Sequence, residues 1–305
     1  MGLFRRREDR TPDEALPFLS VADAERVRRL ATDALGRAGV PVVAFADRLE
    51  SLDGRAFGLW NLAAVCAETD DRRVWPDLVE GHVARLLRPP PDVATMPVDE
   101  LLAGTVLRVY STDTLAEWGA ERLGYAMPVA EDLVEALVLD SPHAVSLLTD
   151  DEVARAGHDA LRAAGRARLV AEPYEHRREP LADGAEADVL IGDSMFVASK
   201  VLVLDHVLTA LHGPRAYPDG VLVALPDRHT LVLHVPDGPS VVPALQSLAG
   251  FAAGAFAESA GGVSPSVYWW RDGVLRRVSR RTEDGRTAIE VGPELEAVLS
   301  RNARA

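Results

Sequence analysis

Two apolar runs, Val221-Leu222-Val223-Ala224-Leu225 and Thr230-Leu231-Val232-Leu233-His234-Val235, are separated by only Pro226-Asp227-Arg228-His229. A parallel crossover needs a dozen residues or more, so strands joined this closely pair antiparallel. The same signal recurs at 267–270 and 274–278 across Arg271-Asp272-Gly273, and near the start at 41–45 and 55–59 across Asp53-Gly54. Helical apolar periodicity occupies 20–35, 75–87, 196–211 and 241–256. Antiparallel pairs packed with helices predict an α+β fold, with mixed, largely antiparallel sheets in two α/β subdomains, rather than a doubly wound sheet.

Residues 1–19 are charged and carry Pro12 and Pro17, which predicts a flexible tail. Ser20 with Asp23 three positions on is an N-cap signature, and an N-terminal α+β domain is expected over 20–170. Within it Pro89-Pro90-Pro91 marks a loop, strands are expected at 105–110, 133–139 and 144–148, and helices at 114–123 and from Thr149 to near Gly165. Residues 171–187 hold Pro173, Pro180, Gly184 and many charges without periodicity. They read as a loop or linker before a C-terminal α+β domain at 188–305.

A chain of 305 residues at 48% hydrophobic can bury a substantial core. The net charge of −14 disfavours nonspecific attraction to phosphate or anionic lipid. Cys66 is the single cysteine, which excludes an intramolecular disulfide and a Cys-rich zinc site. It follows Leu62-Ala63-Ala64-Val65 and reads as buried packing rather than a reactive thiol. The longest uncharged stretch, 238–257, contains Pro239, Pro243 and Gln246 and reads as a core helix, not a membrane span. No secretory apolar region follows the basic start, so the expected location is the cytoplasm. The abundance of Ala, Arg and Val is like that of GC-rich bacterial chains.

Gly192-Asp193-Ser194 directly after the strand at 188–191 resembles the first block of the GDSL (SGNH) hydrolases, which presents a nucleophilic serine at a strand end. Such an enzyme carries a later Gly-x-Asn-Asp block and a terminal Asp-x-x-His; the one Asp-x-x-His here, Asp140 to His143, lies upstream of Ser194. Without a paired base a serine hydroxyl is a poor nucleophile. A turn at Gly192 with Asp193 or Ser194 capping the next helix explains the same residues.

His206 beside Asp205 and His229 beside Asp227 are candidate acid–base dyads, although neighbours in sequence rarely point at each other. His206 and His212 are six apart, a poor spacing for one helical face, and His229 and His234, five apart, fall on opposite faces of a strand. No metal is expected. No P-loop, Gly-rich dinucleotide fingerprint or paired-carboxylate motif is present, so no cofactor is expected. Arg271, Arg276, Arg277, Arg280, Arg281 and Arg286 gather near Tyr268, Trp269 and Trp270, a combination that can bind single-stranded nucleic acid by phosphate contact and stacking. Arg228, Trp269, Trp270, Arg276 and Arg277 are the candidate binding residues. Charges on the open edge of a terminal hairpin also guard against edge pairing, and Asp272, Glu283 and Asp284 dilute the patch.

The segment 188–278 resembles the bacterial YtpQ-like family through residues 194–204, with Ala198-Ser199-Lys200-Val201-Leu202, and through Val223-Ala224-Leu225-Pro226-Asp227-Arg228-His229-Thr230-Leu231. Gly58-Leu59-Trp60-Asn61-Leu62 extends the likeness upstream. That family places an Asp just before the second strand, where this chain has His229-Thr230, so no role for that acid carries over. The resemblance implies an intracellular α+β protein and no particular activity. With no complete catalytic constellation, the leading expectation is a non-enzymatic interaction or regulatory protein whose partner is another protein or a second copy. A serine hydrolase using Ser194 and a nucleic-acid-associated protein using the C-terminal arginines are the alternatives.

Overall fold

In the computed structural model, which describes residues 11–69, 71–88, 92–119, 123–141, 144–259, 261–282 and 284–303, Ser20 Oγ accepts the Asp23 backbone N–H at 3.2 Å and starts α1 (Val21–Arg37). Val27, Ala31, Ala34 and Leu35 form its buried stripe. The chain divides into two units, Met1–Pro89 and Pro90–Ala305. That division falls at the predicted proline loop, whose residues 89–91 lie outside the described residues, and not at 171–187.

In the first unit β1 (Val42–Ala44), β2 (Arg48–Ser51) and β3 (Ala56–Gly58) form an antiparallel sheet in that order, followed by α2 (Trp60–Ala67) and α3 (Trp75–Leu86). The Asp53-Gly54 turn joins β2 to β3, so the expected partner of 41–45 is corrected: β1 pairs with β2. Leu49, Leu62, Trp75, Val79 and Val83 pack with α1. Cys66 is fully buried among them, and burial pushes its thiol up to about 11, which removes the thiolate at neutral pH.

The expectation of a flexible tail is also corrected for 11–19; residues 1–10 lie outside the described residues. The Asp13 carboxylate accepts two hydrogen bonds from the Arg28 guanidinium, at 2.8 and 3.1 Å, and two from the backbone N–H groups of Ala15 and Leu16. These bonds, the Arg28 guanidinium foremost, hold its carboxyl below the usual range against the opposing effect of burial. Leu16 and Leu19 are buried behind it.

The second unit begins with α4 (Val98–Gly104), β4 (Thr105–Ser111), α5 (Thr112–Glu117), β5 (Met127–Ala130), β6 (Leu133–Asp140), β7 (Val145–Leu147), α6 (Asp150–Ala156) and α7 (His158–Ala171). The helix expected at 114–123 is α5; residues 120–122 lie outside the described residues. The single helix expected from Thr149 is two, because Gly157 at φ +89° breaks it, and Gly165 lies inside α7 rather than at an end. Gly165 sits against β4: a Cβ there would stand 2.9 Å from Leu107 N and 3.1 Å from Val106 C. On the same strand Val109 N–H donates to Ser199 Oγ at 3.1 Å, a side chain satisfying a backbone donor.

The unit continues with β8 (Glu175–Pro180), β9 (Glu186–Ile191), a 3₁₀ turn (Ala198–Val203), α8 (Leu204–His212), β10 (Val221–Ala224), β11 (Thr230–His234), α9 (Val241–Glu258), β12 (Val267–Arg271), β13 (Val274–Arg277), β14 (Ser279–Arg281), β15 (Thr287–Ile289) and α10 (Pro293–Asn302). An all-antiparallel six-stranded sheet runs β13-β12-β10-β11-β9-β8, beside the smaller β4-β6-β5 sheet with β7 on β6, so the fold is α+β. The linker reading of 171–187 fails because β8 pairs with β9 over its whole length. All six β8 residues are exposed and mostly charged, which suits a guarded edge strand and hides it from a search for apolar alternation.

Both faces of the large sheet are covered. Leu190, Val223, Leu231 and Leu233 pack toward Phe196, Val207 and Leu208. On the other face Leu222, Ala224 and Val232 meet Leu245, Leu248 and Ala252 of α9 and Leu295 and Val298 of α10. This is why 221–225 reads as an unbroken apolar run, with each such side chain contributing roughly 1.5–3 kcal/mol by leaving water. Among the described residues Gly238–Glu258 is long and apolar enough, by length and composition, to cross a membrane; here its inner face packs on the sheet.

Candidate functional site

Where β11 ends and β9 and β10 begin, the six-stranded sheet borders a cavity of about 490 Å³. The register pairs Asp188 with Leu233 and His234 with Leu222, so the two polar side chains leave the sheet on opposite faces at this end. Asp188 is buried. Its carboxylate accepts from His212 Nε2 and from His176 Nε2, each at 2.8 Å, and Arg178 Nε stands 3.5 Å away. His212 is the last residue of α8, and its Nδ1 meets Tyr217 Oη at 3.0 Å and Arg215 Nη2 at 3.4 Å. A buried carboxylate is thus held by two imidazoles, and one imidazole by a phenol, in a continuous chain that fixes the cavity wall.

His234 lines the same cavity at 4% exposure. Its Nδ1 bonds the Glu186 carbonyl at 2.8 Å, which makes Nδ1 the donor, while Nε2 has no partner among the described residues. Burial pushes the pKa of the ring down, outweighing the Glu186 carbonyl and the charges of Asp237 and Asp188. The neutral ring therefore keeps an unused lone pair at Nε2, buried with the rest of the ring. Gly220, at φ +74°, closes another part of the wall, where a Cβ would stand 2.3 Å from Trp269 Nε1 and 2.6 Å from the Trp270 carbonyl oxygen.

The sequence candidates lie elsewhere. Ser194 Oγ donates to the Glu172 carboxylate and accepts the Phe196 N–H at 3.2 Å. His229 donates from Nδ1 to the Gly192 carbonyl at 3.1 Å and accepts from Arg228 Nε at 2.9 Å, so both its nitrogens are engaged elsewhere than at Ser194. Asp227 caps the backbone N–H of His229 at 2.7 Å instead of meeting its ring. His143 lies outside the described residues. His206 is exposed, 3.3 Å from Asp205, on a second cavity of about 450 Å³ that also touches Lys200. Lys200 is 1% exposed and donates to the Leu169 and Val170 carbonyls at 2.9 and 3.3 Å, above the Tyr174 ring. It closes the C-terminus of α7, where a cation suits the helix dipole.

The arginine cluster is mostly matched by acids. Arg276 pairs with Glu294 at 2.9 Å, Arg277 with Asp132 at 3.3 Å, Arg280 with Glu290 at 2.7 Å and Arg286 with Asp284. Tyr268 and Trp269 are core residues, Trp269 donating to the Asp219 carbonyl, and Trp270 is half-buried, so the aromatic side chains do not form a stacking platform. Among the described residues no group of three or more His, Cys, Asp and Glu side chains is placed to hold a metal ion.

Sequence reasoning missed the cavity because its residues share no local spacing. Asp188, His212, Tyr217 and His234 come from four segments of the fold. The available signal was Asp188 itself, an acid at the mouth of the apolar strand Val189-Leu190-Ile191. No family model, curated protein or solved structure matches the chain.

Proposed function

We propose that this chain is a cytoplasmic, non-enzymatic regulatory protein that binds a small polar molecule in the cavity at the end of the six-stranded sheet and acts through another protein or a second copy of itself. The observation that carries this reading is the closed hydrogen-bond chain His176, Asp188, His212, Tyr217. It ties Asp188, His212 and Tyr217 of the wall together as a pre-organised receptor surface. The YtpQ-like resemblance is compatible with this reading and belongs to the same proposal.

A hydrolase at Ser194 is the weaker reading, since its hydroxyl is bonded to a carboxylate and no imidazole among the described residues is hydrogen-bonded to it. A nucleic-acid role is weaker still, because four of the arginines are neutralised by acids. The test is thermal denaturation of the full chain against a panel of small polar metabolites, with mass spectrometry of each compound afterwards. Stabilisation by a compound recovered unchanged is expected. Conversion of that compound, or no stabilisation by any of them, would refute the proposal.

A further inference from the structure

Most charges around the cavity cancel within its wall. Arg178 meets Glu186 at 3.3 Å as well as Asp188, and Asp188 takes both imidazoles. Asp219 is matched by Arg301 and by the Asn302 amide at 2.9 Å. Two opposite charges are left over. Arg215 forms no ion pair with any described residue; its guanidinium lies over the Tyr217 ring at 5.0 Å from the centroid and touches His212. The Asp237 carboxylate has no partner among the described residues, and it is near enough for its charge to bear on His234.

Resting on the reading of this cavity as a small-molecule site, we propose that it binds a zwitterion of the α-amino-acid class. The ligand ammonium lies toward Asp237, and its carboxylate against Arg215. A guanidinium presents paired N–H donors to a carboxylate, and stacking on Tyr217 restricts Arg215 before any ligand arrives. An ammonium supplies a charge opposite to Asp237. A simple anion would leave Asp237 unmatched, and a simple amine would leave Arg215 unmatched. The volume, about 490 Å³, is in the range of small-molecule sites.

The experiment is calorimetric titration of the full chain with the proteinogenic amino acids, then with the N-acetyl and the amide derivative of whichever binds. Both derivatives are expected to bind at least roughly tenfold more weakly, as are the parent amino acid with Arg215→Ala and with Asp237→Asn, since each change removes one charge-assisted contact. Arg215 and Asp237 are exposed, so neither variant threatens folding. Equal affinity of parent and derivatives would overturn the zwitterion assignment. Binding of other polar metabolites without any amino acid would overturn it too, while leaving the small-molecule reading intact; silence of every compound would remove both.

Discussion

His212 Nε2 lies 2.8 Å from Asp188 Oδ2, with each side chain 8% exposed, and this pair ties the end of α8 to the first half of β9. Asp188→Asn replaces one acceptor with a donor, so one of the two imidazoles loses its bond while staying buried. Urea denaturation should show a loss of about 1–3 kcal/mol. His176→Ala, at the more exposed end of the same carboxylate, should cost less than about 1 kcal/mol. Equal effects would mean that burial does not govern this network.

Gly165→Ala tests the packing of α7 on β4. On an exposed helix face this change stabilises by about 1 kcal/mol. Here the added methyl meets backbone atoms at 2.9 and 3.1 Å that cannot rotate away, and the expected result is destabilisation of about 1–3 kcal/mol. Chemical denaturation gives the sign directly; a more stable variant would show that α7 lies farther from the strand.

How far the fold was legible follows from such contacts. The hairpins at 221–234 and 267–277 and helices α1, α3 and α9 announce themselves through apolar runs, turn residues and caps that act within a few positions. β8 does not, because its charged residues answer to an edge and to β9 rather than to a local pattern. Gly165 reads as a helix stop until β4 is known to press against it. At the cavity the burial of Asp188 and the free nitrogen of His234 are set by side chains dozens of positions away. Ser194 was legible only as a local turn residue.

Stability should depend on pH through His234. Its folded pKa is held below the unfolded value of about 6.5 by burial, so the unfolded state binds more protons and stability falls as the medium is acidified. The contribution is fully present above the unfolded value and is lost as pH drops through it toward the folded value. His82, also lowered by burial, has the same sign, so the measurement is the difference between wild type and His234→Gln. Denaturation midpoints from pH 8 to 5 should fall less steeply in the variant, by at most about 1.4 kcal/mol per pH unit. Parallel curves would contradict the assignment.

Ser194→Ala removes the acceptor of the Phe196 N–H and the donor to Glu172. A stability loss of about 0.5–2 kcal/mol is expected, with no fluorophosphonate labelling of the wild type at this position. Labelling that disappears in the variant would make Ser194 a nucleophile.

The central claim is that the end-of-sheet cavity, not the one beside Lys200, receives the ligand. Side-chain ¹⁵N spectra of the histidines, recorded while a stabilising compound is titrated into the full chain, test it most directly. The account predicts that the ring resonances of His212, in the wall beside Arg215, shift on titration while those of His206 stay fixed. Movement of His206 with His212 unchanged would contradict it.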